Sequence, residues 1–288
     1  MFLAIRHTTA YQYTQPVYLE PHILRLTPRG DSYRCLFERT LTVIPEPDGI
    51  SQGMDAHGSL GHLIWFKRKT SSLTIISKSV LELSEANPFD FIVHPSSCVN
   101  IPMCYPENIH VRLLPYIIGK TIHDDVREYA SQIIRESGYN LVEFSSHLAK
   151  RIYQDCVYEE RKTGEPFSAE KVLNSRKGSC RDMAVLYVDA ARAAGIAARF
   201  VSGYYFDNSP QNPQLHAWAE VYIPGGGWRG YDPTLGLACY GHHIAVASGA
   251  SSLDAAAVEG KFLGDAQSLM EAKMEYEYLK SITKPVEF

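Results

Sequence analysis

The sequence predicts an α+β protein. An N-terminal antiparallel β-sandwich-like unit precedes a core in which helices come first and an antiparallel sheet follows. Three observations predict this. Short β-branched runs punctuated by Pro and Gly fill the chain as far as Leu83. The hydrophobic period becomes helical after about Thr121, then returns to two after Gly195. The 288 residues suffice for two domains. The expected division is 1–86 for the β unit, 87–116 for a proline-rich connection and 117–288 for the core with its C-terminal strands.

In the first unit, Thr9, Tyr11 and Tyr13 alternate with Ala10, Gln12 and Thr14. The runs Leu36 to Ile44, His62 to Phe66 and Leu73 to Leu83 continue the strand pattern. The connection carries Pro88, Pro95, Pro102, Pro106 and Pro115. Proline fixes φ and lacks a backbone donor, so no regular element is expected there.

The core opens with a helical stripe of Ile122, Val126, Tyr129, Ile133 and Ile134, and a second of Phe144, Leu148 and Ile152. Ser168 is the expected N-cap of a short helix through Leu173. Arg181 to Ala194 presents Ala184, Val185, Val188 and Ala191 on one face, and Gly195 ends it. Strands are expected over Ala197 to Phe206, Leu215 to Ile223 and Trp228 to Tyr231, with Pro224-Gly225-Gly226-Gly227 as the turn between the last two. Near the C-terminus, Met270, Ala272, Met274, Tyr276 and Tyr278 alternate with charged residues. Propensity reads helix there, but the alternation predicts a strand.

Composition excludes several classes. Hydrophobic content of 45% and charged content of 21% are those of a globular chain. The net charge of −4, without a basic aromatic stripe, implies no nucleic-acid partner. No run approaches the roughly 20 apolar residues of a membrane span, and the start has no signal-peptide pattern. A cytoplasmic location and six free thiols are the expectation. No metal or cofactor is implied; Gly225-Gly226-Gly227 lacks the residues of a phosphate loop. His242 and His243, adjacent on a strand, would point to opposite faces.

The chemistry centres on Cys180, at the junction of Gly178-Ser179 with the Arg181 to Ala194 helix. The free N–H groups of a helix start, with Arg176, Lys177 and Arg181 alongside, favour a thiolate and can hold an oxyanion. Taken alone, a cysteine at a helix start is more often packing than chemistry. On the strand from Leu215, however, His216, Trp218, Glu220 and Tyr222 share one face. A hairpin through the glycines sets Trp218 opposite a residue near Asp232. His216 and Asp232 then become diagonal neighbours with Cβ atoms roughly 7–8 Å apart. An imidazole spans that distance, donates one N–H to the carboxylate and turns its other nitrogen to Cys180. A nucleophile, a base and an orienter in chain order predict acyl transfer. Glu220 reads as a surface strand residue and Trp218 as a groove wall.

The motifs Gly178-Ser179-Cys180-Arg181-Asp182-Met183-Ala184, His216-Ala217-Trp218-Ala219-Glu220-Val221-Tyr222, Gly227-Trp228 and Tyr231-Asp232-Pro233-Thr234 resemble those of the bacterial transglutaminase-like family. The stretch from Arg192 to Tyr204 and His243-Ile244-Ala245-Val246-Ala247 extend the likeness. Arg6-His7-Thr8-Thr9 and Tyr11 resemble the N-terminal domain of its bacterial members, so the resemblance spans nearly the whole chain. It implies a papain-like/transglutaminase-like core, with the helix bearing cysteine packed on the sheet bearing histidine and aspartate. It implies Cys180 as nucleophile, His216 as base and Asp232 as orienter. Arg181, Asp182, Trp218 and Trp228 are the candidate substrate-binding residues. Ser179 departs from the valine of many relatives. The backbone N–H of Cys180 is the one oxyanion donor named. The implied activity is that of a cysteine peptidase or amidase on a peptide or protein substrate with an amide acyl donor. A glutamine–amine transferase and a non-catalytic binding module are the alternatives.

Overall fold

The computed structural model describes residues 1–31, 33–84, 87–118, 121–161, 164–206 and 214–281. Residue 86, the expected end of the first unit, and the last residues of the 117–288 unit lie outside them. The N-terminal unit begins with β1 (Phe2–Leu19), β2 (His22–Leu24), β3 (Arg34–Ile44), β4 (Gly49–Met54), β5 (Leu60–Trp65) and β6 (Thr70–Leu83). β1 pairs antiparallel with β6, and β6 with β3; β2, β5 and β4 form part of a second sheet. Alternate side chains turn inward, and Tyr13, Val17, Leu24, Leu26, Ile64, Leu73 and Ile75 form the core between the sheets. Each fully buried aliphatic side chain of this kind contributes about 1.5–3 kcal/mol.

The proline-rich stretch contains a helix that the sequence did not announce, α1 (Glu107–Ile117). Pro106 is the N-cap, where no N–H is required. Pro115 lies inside the helix two residues before its end and costs it one backbone hydrogen bond. Leu113 and Tyr116 then bury one face of α1.

The core follows with α2 (Asp124–Glu136), α3 (Leu141–Asp155), β7 (Val157–Tyr158), α4 (Ala169–Ser175), β8 (Lys177–Gly178) and α5 (Cys180–Ala193). Asn140 caps α3 by accepting from the Val142 and Glu143 N–H groups, and Ser168 caps α4 through Lys171 N–H as expected. Then come β9 (Ala198–Tyr205), β10 (Gln214–Ile223), β11 (Gly227–Asp232), β12 (Leu237–Ala238) and β13 (His243–Gly249). They form one antiparallel sheet in the order β12-β11-β10-β9-β13. α5 lies in the middle of this unit. Ala184, Leu186, Tyr187, Ala190 and Ala191 are fully buried along it, and the small residues let it approach the sheet face of Ala219, Val221 and Ile223.

The C-terminal strands leave the core. β14 (Val258–Glu259) pairs with β2, while β15 (Phe262–Leu263) and β16 (Ser268–Leu279) pair with β1. The alternation that predicted β16 is present, but this strand completes the first sheet, with Ile5 opposite Tyr276. The expected grouping of these strands with the core is therefore corrected: alternation identifies a strand without identifying its partner. The two units share a core in which Leu3, Ile5 and Leu81 meet Phe200, Tyr204, Phe206 and Ile244. The chain is α+β, as the sequence predicts.

Candidate active site

Cys180 is the first residue of α5 and is 9% exposed. Gly178 makes the turn before it possible: a Cβ there would lie 2.8 Å from that of Asp182. Asp182 is wholly buried and ties the turn together. Its Oδ2 accepts from Ser179 N–H and Ser179 Oγ at 2.8 Å each; its Oδ1 accepts from Arg161 at 2.6 Å and from Phe167 N–H at 2.7 Å. Burial pushes the Asp182 pKa up, but these donors outweigh it and the carboxyl titrates below its ordinary value. Among the described residues, no acceptor is paired with the Cys180 N–H, which leaves it available to an oxyanion.

His216 lies on β10 and Asp232 ends β11. The hairpin pairs Ala219 with Tyr231, so Trp218 stands across from Asp232 and His216 is its diagonal neighbour, as the sequence predicts. His216 Nε2 lies 2.6 Å from Asp232 Oδ2. The Cys180 thiol lies close enough to the ring to add to the rise of its pKa. Burial alone would lower the His216 pKa; the Asp232 carboxylate outweighs it, and the pKa rises to about 10. Burial likewise opposes ionisation of Asp232, yet His216 and its other donors hold its carboxyl well below the usual range. The pair is thus imidazolium and carboxylate.

A second histidine joins it. His243, at the start of β13, places its Nε2 2.9 Å from the same Asp232 Oδ2. In the sequence His243 stands out only as the neighbour of His242 on one strand. The signal it left is its place in the quoted His243 to Ala247 motif, at the head of a strand.

The other four candidates have structural partners. Arg181 donates to the carbonyls of Gly164 and Arg161 at 3.0 and 2.8 Å, and Asp182 holds the turn. Trp218 is 2% exposed, close over Gly203, with its ring centroid 5.3 Å from that of His243. A Cβ at Gly203 would lie 2.5 Å from the indole, so only glycine fits beneath it. Trp228 packs on Tyr116 and Tyr222, and the Arg199 guanidinium covers it at 4.2 Å. Glu220 is buried, not a surface residue: it pairs with Arg199 at 2.6 Å and with Arg29 of the first unit.

His216, Asp232 and His243 are also the one group among the described residues whose ligand atoms lie close enough for a metal, within 4.8 Å of one another. Tetrahedral coordination at about 2.0–2.1 Å would hold such atoms roughly 3.3 Å apart. The 2.6 and 2.9 Å separations are those of hydrogen bonds.

Residues 127–233 match the family model of the transglutaminase-like superfamily, and residues 3–82 that of the bacterial transglutaminase-like N-terminal region. An uncharacterised protein of Mycobacterium tuberculosis is 30% identical over 89% of this chain and 86% of its own length. Another, from Mycobacterium leprae, is 23% identical over 95% of this chain and 97% of its own. The crystal structure of a proposed cysteine protease from Cytophaga hutchinsonii superposes with a TM-score of 0.73 at 21% identity, covering 100% of this chain and 94% of that one.

Proposed function

The chain belongs to the transglutaminase-like superfamily, and from that premise we propose that it is a thiol acyl-transfer enzyme, a cysteine peptidase or amidase, with Cys180 as nucleophile, His216 as base and Asp232 as orienter. The observation that carries this is the linked set itself. A thiol at a helix start meets an imidazole whose far nitrogen is held 2.6 Å from a buried carboxylate.

Because Nε2 of His216 serves Asp232, Nδ1 is the nitrogen that takes the thiol proton of Cys180, and the imidazolium of this site is the product of that transfer, paired with the thiolate. The thiolate attacks the amide carbonyl carbon, forming the C–S bond. Negative charge moves to the oxygen, where the Cys180 N–H and the start of α5 receive it. The intermediate collapses by breaking the C–N bond, and Nδ1–H of His216 protonates the departing amine. A thioester remains. Water, giving its proton to His216, attacks it, and the C–S bond breaks to release the acid and restore Cys180.

The substrate class is a peptide or protein amide. The test offers a fluorogenic casein together with a fluorescent primary amine. The expected result is cleavage without amine incorporation, abolished in Cys180→Ala. Amine incorporation would move the assignment to a transferase, and turnover retained by Cys180→Ala would end the thiol mechanism.

A further inference from the structure

We propose that His243 is a positioning residue of this site, its Nε2–H fixing the oxygen of Asp232 that holds His216. The inference rests on the reading of Cys180, His216 and Asp232 as the reacting set.

Asp232 is fully buried, so its oxygens depend on protein donors. Oδ1 accepts from the N–H groups of Thr234 and Leu235, at 2.8 and 3.3 Å, within its own turn. These bonds fix one oxygen and leave the other to be aimed. Oδ2 receives two further donors from two different strands, Nε2 of His216 and Nε2 of His243. A carboxylate oxygen has two lone-pair sites, so the pair saturates it.

His243 is built as an anchor. It is 2% exposed, and its ring lies 4.9 Å from that of Tyr205 and 5.3 Å from that of Trp218. Packing therefore sets its orientation independently of Asp232. The ionisable side chains facing it are Asp232 from β11, His216 from β10 and Tyr205 from β9; the cavity it lines also carries Arg29, Asp31, Arg34, Glu220, Arg229 and Cys239. Burial lowers its pKa, the neighbouring His216 charge acts in the same sense, and Asp232 opposes them without prevailing. His243 thus donates as a neutral imidazole while His216 carries the charge. One carboxylate faces one cation and one neutral donor. The neutral donor aims Oδ2 and shares its electron density, which tempers the pull on His216. Removing it concentrates that density on His216 and moves the loss of the imidazolium to higher pH.

The test measures two quantities on the full chain: alkylation of Cys180 by iodoacetamide at neutral pH, read by mass spectrometry, and the alkaline limb of kcat/KM on a peptide amide, followed from about pH 7 to about pH 12. His243→Gln keeps an N–H donor at the position of Nε2; His243→Leu removes it. His243→Leu is expected to slow alkylation by about tenfold or more and to move the alkaline limb upward, with His243→Gln restoring both. A His243→Leu profile that superimposes on that of the unmodified chain would overturn the inference, as would a folded His243→Gln as impaired as His243→Leu. Should His243→Leu fail to fold, His243→Gln decides alone: native rate and limb support the inference, and their loss with an intact thermal melt overturns it. The controls are Cys180→Ala and His216→Ala. If Cys180 reacts no faster than in His216→Ala, the triad falls and the inference with it. A normal His216 dependence beside an inert His243→Leu sinks the inference alone.

Discussion

His216 Nε2 stands 2.6 Å from Asp232 Oδ2 across the β10–β11 hairpin, with both side chains buried. This contact keeps the imidazolium to an unusually high pH, and the sign of its effect on rate follows. His216 must be protonated to hand its proton to the leaving amine. Activity is therefore sustained through neutral pH and lost as pH rises through about 10. The check is the alkaline limb of kcat/KM on a peptide amide. In Asp232→Asn that limb is expected to fall toward the ordinary histidine value of about 6.5, with kcat/KM down by roughly 10²–10⁴-fold. A limb that stays in place would remove the carboxylate as its cause.

Asp182 separates a structural role from a binding one. Its two oxygens close the turn that presents Cys180, accepting from Ser179, Phe167 and Arg161. Asp182→Ala strands several buried donors, at about 1–3 kcal/mol each, so stability is expected to fall by roughly 3 kcal/mol or more. Urea unfolding measures this. Alkylation of Cys180 should slow in parallel, since the start of α5 loses its anchor. A variant of native stability with only KM altered would restore the substrate-binding role expected from sequence.

What the sequence disclosed depended on range. The His216–Asp232 pairing was legible because strand alternation fixes faces and a glycine turn fixes register, and both devices are local. The cap of α4 and the end of α5 at Gly195 were legible for the same reason. His243 was not: β13 pairs with β9, away from the hairpin, and no local rule brings a residue at the head of that strand to Asp232. The partner of β16 lies at the opposite end of the chain and was equally hidden. Asp182 left a signal that was read otherwise. An acidic residue three positions after a serine N-cap is a capping pattern before it is a ligand.

Strand alternation predicts a surface place for Glu220, because one charged residue on an alternating strand is normally solvated; the structure instead sets it between two guanidiniums from different units. Arg199 Nε donates to it at 2.7 Å from β9, and Arg29 reaches it from the N-terminal unit. Burial opposes its ionisation, but the two arginines win and hold its pKa down at about 2. A carboxyl with a depressed folded pKa stabilises above its ordinary value of about 4.5 and loses that contribution as pH falls toward 2. The contribution is of the order of 3 kcal/mol. Glu220→Gln should flatten the stability curve within that window, and Glu220→Ala should cost about 3–5 kcal/mol at neutral pH by leaving two cations without their counter-charge. Urea unfolding at neutral pH and near pH 3 distinguishes the two variants. Because Arg29 belongs to the other unit, Arg29→Ala should weaken the junction by less than Glu220→Ala, with Arg199 still paired. Equal losses in the two would mean that the ion pairs act as one indivisible unit.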